Sequence, residues 1–436
     1  MTKRKTTALL LLFVFLFPLV LTACGGGEAA VSPSAAPTVP AAPSPTPTPT
    51  PEPTPEPDPV RGLLEGLTVE QKVGQLLVAG FQGTRAGEDA VRAIREYQVG
   101  GVILYERNVE SLEQLTELTN SLKALNGEHI SLFLSTDEEG GRVSRMPPEI
   151  RDLPSALTFG SPESEELRLN ACYGLGGTLA GLCKAFGISL NYAPVLDVWS
   201  NPDNTVIGSR AFGTDPRQAA AAGPQAAYGM MDAGVIPVVK HFPGHGDTAV
   251  DSHLGLPVVD KTPEELEELE LLPFREALSP ERYYGTYETG KGSVPAVMVG
   301  HILMTAFDTE RPATLSPAVV TGLLRGTLGF DGLVCTDDLT MAAISDTYGM
   351  GEAAVLALEA GCDLLLVCHG SAPLTAAREG LLEAVESGRI SEARLDESVY
   401  RILSLKLEYS VTNDPVPQPD AAELNRSVDR LLELLP

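Results

Sequence analysis

From residue 63 onward the chain alternates short, almost uninterrupted apolar runs with longer stretches whose apolar residues recur at helical spacing. The runs at 75–81, 101–105, 132–137, 189–197, 236–242, 296–301, 333–338 and 363–368 predict strands. Most are apolar throughout, as a parallel sheet covered on both faces requires. Between and after them, 88–97, 112–125, 164–186, 216–233, 263–277, 316–327, 351–360, 376–387 and 391–407 predict helices. Strands in regular alternation with helices point to an α/β chain closed into a single (β/α)8 barrel over residues 61–410, with a doubly wound open sheet as the alternative. The tail, 411–436, is Pro- and Asp-rich, with a short helix expected near 427–435. Residues 281–294 are polar and rich in Tyr and Gly; they precede the sixth strand and read as an insertion on the face opposite an active site.

The first 60 residues do not follow this pattern. Lys3, Arg4 and Lys5 precede an apolar run at 8–21 that is short for a membrane span, so residues 1–24 read as an export signal. The sequence Leu21-Thr22-Ala23-Cys24-Gly25 resembles a bacterial lipoprotein cleavage box, which makes Cys24 the expected lipidation site and places the protein outside the cytoplasm on a membrane anchor. Residues 25–60 are rich in Pro and Thr. Proline fixes φ and removes backbone donors, so this segment is expected to be a disordered, extended spacer.

Composition narrows the partners. With 31 Lys and Arg against 58 Asp and Glu, the formal charge is −27, and nucleic acid, which requires a basic footprint, is excluded. Beyond Cys24 five cysteines remain, with no Cys-x-x-Cys pair; buried thiols are expected, a single disulfide being the alternative. No cofactor is expected, and a monomer is.

The chemistry-bearing residues cluster where the strand runs end, as barrel active sites do. The third run leads into Asp137-Glu138-Glu139-Gly140-Gly141, then Arg142 and Arg145. An Asp there can accept sugar hydroxyls, and an Arg can bind a carbonyl or carboxylate. The fourth leads through Asn191 to Asp197 and a loop carrying Arg210. The fifth carries Lys240 and His241, then His245, Asp251 and His253. Three nearby histidines suggest a metal, but Phe-Pro-Gly between His241 and His245 forbids a helical pair of ligands, leaving an Asp251–His253 dyad as the other reading. Gly244, Gly246 and Gly255 flank it and read as giving its loop mobility. His301 ends the sixth run as a pocket wall or a satisfied core histidine. The seventh ends in Asp337 and Asp338, one a candidate nucleophile.

Taken in order, TDEEGGRVSR, PVLDV, IGSRAFGTDP, KHFPGHGDTAVDSH and GFDGLVCTDDLTM resemble the family 3 glycoside hydrolases, in their single-barrel β-N-acetylhexosaminidase branch, over residues 63–407. That resemblance implies a retaining hydrolase of terminal β-linked N-acetylglucosamine. It implies Asp337 as nucleophile, His253 paired with Asp251 as acid/base, and Asp137, Arg145, Arg210, Lys240 and His241 as sugar-binding residues. Glu138 stands where Gln is common. A glucosidase or phosphorylase of the same fold, and a non-catalytic sugar-binding lipoprotein, are the competing readings.

Overall fold

The computed structural model describes residues 58–248, 252, 255–279 and 293–436. Each apolar run contains a strand: β1 (Leu77–Gly80), β2 (Gly101–Leu104), β3 (Phe133–Thr136), β4 (Leu190–Asn191), β5 (Ile236–Phe242), β6 (Ala296–Val299), β7 (Leu333–Asp338) and β8 (Leu364–Val367). Neighbouring strands are parallel, and β1 pairs with both β2 and β8, so the sheet closes into a barrel in chain order. Every residue of β2, β3, β5, β6 and β8 is buried. Alternate side chains fill the barrel or meet the helices outside it, which is why these runs lack the polar alternation of a half-exposed sheet. The open-sheet alternative is thereby set aside.

Helices cover the outside at Leu112–Asn126, Glu165–Ala185, Pro216–Asp232, Met350–Ala360, Ser371–Glu386 and Glu392–Glu408, each within a few residues of its expected range except the start of the fifth. The 263–277 stretch divides into Pro263–Glu268 and Leu272–Leu278, the second opening on Pro273, which starts a helix more readily than it continues one. A pair of two-residue strands outside the barrel, Val258–Val259 with Leu303–Met304, joins the chain after the fifth strand's loop to the loop after β6.

The structure corrects four boundaries. Gln75 closes the helix Val69–Gln75, started by a reciprocal Thr68–Gln71 capping box, so β1 begins only at Leu77. The expected strand over 189–197 is regular only at Leu190–Asn191. Pro194 has no N–H to give, and beyond it the chain follows β5 through single contacts such as Leu196 N–H to the Lys240 carbonyl, 2.6 Å. The tail helix is Ala421–Leu432 rather than 427–435, because Asp420 caps it six residues earlier. At the other end Asp58 caps a helix at Pro59–Glu65, so ordered structure reaches back into the end of the expected spacer. Cys24, the rest of the spacer and most of the 281–294 insertion lie outside the described residues. The remaining five cysteines, Cys172, Cys183, Cys335, Cys362 and Cys368, are buried free thiols.

Candidate active site

The barrel brings six of the sequence candidates to one place. Asp137, Arg145, Arg210, Lys240, His241 and Asp337 all line a cavity of about 210 Å³ at the C-terminal ends of the strands. This is smaller than the roughly 300–1,000 Å³ of sites for drug-sized ligands and suits a single polar ring. A larger cavity, about 820 Å³, opens at the opposite end among Leu64, Tyr400 and Arg401, and none of the candidates reaches it.

Asp137 follows β3 directly. Gly140 and Gly141 then take positive φ values of 78° and 57°, turning the chain so that Glu139 N–H meets the Val143 carbonyl at 3.0 Å. This turn aims two carboxylates at one ammonium: Lys240 Nζ lies 2.5 Å from Asp137 Oδ1 and 2.7 Å from Glu139 Oε1, with only 2% of the lysine side chain exposed. Arg210, from the short turn Gly208–Arg210, meets the same Glu139 in a two-pronged contact, 2.8 Å on each prong. Burial alone would raise the Glu139 carboxyl, but Arg210 and Lys240 hold it well below the usual range.

Asp197 organises the fifth strand's end. Its Oδ2 contacts His241 Nδ1 at 2.7 Å, and its Oδ1 accepts the His245 backbone N–H at 2.6 Å. The aspartate thus fixes the orientation of the His241 ring, leaving Nε2 as its other polar atom. His245 contacts Thr248 Oγ1 at 2.6 Å and Ser252 Oγ at 3.3 Å. Burial, and then His241, lower its pKa, so it is a neutral imidazole joining these hydroxyls.

Asp251 and His253 lie outside the described residues. Ser252 is described: it is buried, lines the cavity, and accepts the Ala343 N–H at 3.3 Å through its carbonyl. The glycines before it serve close packing. A Cβ on Gly246 would lie 1.7 Å from the Val198 carbonyl oxygen, and one on Gly244 would lie 2.5 Å from Glu270 Cβ. A Gly246→Pro change would therefore displace backbone as well as stiffen it.

The two carboxylates of β7 differ sharply. Asp338 accepts from Thr340 N–H at 3.0 Å, Thr340 Oγ1 at 2.7 Å and Cys368 N–H at 3.0 Å, which ties β7 to β8. Asp337 accepts from the Asp338 N–H at 2.8 Å and lines the cavity. Its burial favours the neutral acid, but His301, His241, that N–H and Lys240 outweigh it and keep the carboxylate ionised. His301 is buried, with Nδ1 2.8 Å from Thr314 Oγ1 and Nε2 2.9 Å from the Asp338 carbonyl, which makes it a satisfied histidine behind the nucleophile candidate.

Sequence reading assigned no role to Glu139 or Asp197, although both stand inside quoted motifs, and missed Tyr105 and His369. These two rings stack at 5.7 Å and line the same cavity. A lone Tyr after β2 and a lone His after β8 carried no signal that they would meet.

Residues 68–405 match the family described as Glycosyl hydrolase family 3 N terminal domain. The chain is 32% identical over 378 residues to Beta-hexosaminidase A of Pseudoalteromonas piscicida, covering 78% of this chain and 61% of that relative, less than two thirds of its length. It is 36% identical over 349 residues to Beta-hexosaminidase LpqI of Mycobacterium tuberculosis, covering 78% of this chain and 83% of that one. A solved glycoside hydrolase family 3 beta-N-acetylglucosaminidase from a Paenibacillus species superposes with a TM-score of 0.76 at 43% identity, over 85% of this chain and 69% of that one. With the family match spanning most of the barrel, the chain belongs to glycosyl hydrolase family 3.

Proposed function

We propose that the protein is a retaining exo-β-N-acetylglucosaminidase that removes terminal β-linked N-acetylglucosamine from cell-wall fragments or chito-oligosaccharides. The observation that carries this is the ionised Asp337 in a ring-sized cavity shared with Asp137, Arg145, Arg210, Lys240 and His241. The names of the relatives support the sugar. In the proposed reaction Asp337 attacks the anomeric carbon as the bond to the leaving oxygen breaks, and His253, as imidazolium, protonates that oxygen. Water then attacks the glycosyl-aspartate ester, neutral His253 takes its proton, and Asp337 leaves as carboxylate with configuration retained. Asp251 would orient His253 and stabilise its charged form. An imidazole acid/base carries no negative charge in either protonation state, so it does not repel the Asp337 carboxylate as a second carboxylate would.

A panel of nitrophenyl β-glycosides tests the reading, run with and without inorganic phosphate. The expected result is release from the N-acetylglucosaminide far above the glucoside and xyloside, with free sugar as product. Preference for the glucoside, or N-acetylglucosamine 1-phosphate as the main product, would overturn it.

The expected lipid anchor adds a location outside the cytoplasmic membrane. In bacteria fed labelled palmitate, the protein should take up label and partition with membranes, and Cys24→Ser should lose both. Label retained in the Cys24→Ser protein would reject Cys24 as the anchor.

A further inference from the structure

Three consecutive acids follow β3, and the middle one does something different from its neighbours. Asp137 and Glu139 face the cavity and hold Lys240, whereas Glu138 turns inward and is 1% exposed. Its backbone is clamped from β4: Glu138 N–H donates to Asn191 Oδ1 at 2.9 Å, and Asn191 Nδ2 donates to the Glu138 carbonyl at 2.8 Å. With its backbone fixed, the carboxylate closes the following turn. It accepts the Arg145 backbone N–H at 2.6 Å and the Ser144 hydroxyl at 2.9 Å, and the Gly140 N–H points at it as well.

That turn ends in Arg145, whose side chain lines the cavity. Arg210 and Lys240 are each paired with an acid in the cavity; among the described residues no carboxylate lies within 4.0 Å of the Arg145 guanidinium. Its Nη1 donates to the Ser144 carbonyl at 3.0 Å, its guanidinium lies 6.0 Å from the centre of the Tyr105 ring, and among the described residues its buried Nε has no partner. The position of Arg145 is therefore set mainly by backbone, and Glu138 is what holds that backbone.

We propose that Glu138 is a positioning residue that presents Arg145 to the bound sugar and makes sugar affinity rise with pH. The inference rests on reading the cavity as an N-acetylglucosamine site. The physical reason is the mismatch between a protonated carboxyl and its surroundings. Ionised Glu138 receives the Ser144 hydroxyl and the Arg145 N–H on one charged oxygen, Oε2; protonation removes that charge and weakens both contacts. Burial pushes the Glu138 carboxyl up to about 7 against the opposing hydrogen bonds of Arg145 and Ser144, so the change falls near neutrality. Among the described residues, the charged and titratable groups that act on it include Arg145 on the same loop and Cys183 on the Glu165–Ala185 helix, whose thiol burial keeps protonated, and Asp137 and Glu139 flank it in the chain.

The test is calorimetric binding of N-acetylglucosamine to the full chain at pH 6 and pH 8, for the wild type and Glu138→Gln. An amide keeps one acceptor oxygen and does not titrate, and ionisations elsewhere in the cavity are common to both proteins. The wild type should bind about threefold to tenfold tighter at pH 8, the worth of one hydrogen bond, and the variant should lose most of that dependence. Arg145→Ala should lose it too. Equal pH dependence in wild type and Glu138→Gln would overturn the proposal, and so would a flat wild-type profile. Failure of the sugar to bind at either pH would reject the reading of the cavity and the proposal with it. Foldedness has its own readout. The folded-state carboxyl titrates above its unfolded value, so the wild type loses stability as pH rises from about 5 to 7, and Glu138→Gln should not.

Discussion

Asp337→Asn is expected to lower kcat by about four orders of magnitude or more while leaving the protein folded. The amide is nearly the same shape, and its oxygen can still accept the Asp338 N–H that Asp337 Oδ1 accepts at 2.8 Å. What it lacks is the negative charge that attacks the anomeric carbon. Among the described residues the other acids of the cavity are already engaged: Asp137 is held by Lys240. Asp338 is held by Thr340 and Cys368, and Glu139 is held by Arg210 and Lys240. Asp338→Ala should look different, with a loss of stability from the broken tie between β7 and β8. Turnover by Asp337→Asn within tenfold of wild type would remove Asp337 from the mechanism. Steady-state kinetics and a thermal melt of each variant separate these outcomes.

The second large effect is expected at Glu139. Its carboxylate is the counter-ion for Arg210 and shares Lys240 with Asp137, and both cations are largely buried, at 14% and 2% side-chain exposure. Removing one partner of a buried pair leaves a charge without compensation, which costs about 3–5 kcal/mol. Glu139→Gln should therefore unfold at a much lower urea concentration at pH 7, and substrate binding should weaken as Arg210 and Lys240 shift. The pH dependence has a definite sign. Because the folded-state pKa is depressed, this stabilisation is fully present above the unfolded value near 4.5 and is lost as pH falls toward the folded one. The gap between wild type and Glu139→Gln should thus be widest at neutral pH and narrow progressively below about pH 4.5. A gap under 1 kcal/mol at pH 7, or one that pH does not alter, would contradict the ion-pair account.

Strands were legible where they are buried on both faces and bounded by polar turns. The runs at 236–242 and 333–338 coincide with β5 and β7 residue for residue. Where a local backbone rule competed with hydrophobicity, the pattern misled. Pro194 broke the fourth run, and the Thr68–Gln71 cap drew Gln75 into a helix. The candidate site was legible for the same reason as the strands, since a barrel collects whatever follows each strand at one end. Its electrostatics were not. Glu139 acts through Arg210, 71 residues on, and Asp197 through His241, 44 residues on. Nothing local in sequence distinguishes such an acid from a solvated one. His245 shows the converse. Its spacing from His241 and His253 suggested metal chemistry, but its ring nitrogens are occupied by Thr248 and Ser252.

The proposed catalysis depends on which atom becomes bonded to the sugar. Incubation with an activated fluorosugar that slows breakdown of the intermediate, followed by proteolysis and mass spectrometry of the peptides, reads that atom directly. The mass of one glycosyl group is expected on the peptide containing Asp337, with fragmentation placing it on that residue and no adduct in Asp337→Asn. An adduct on Asp338, Glu139 or any other carboxylate, or turnover of the reagent through a product of inverted configuration, would contradict it.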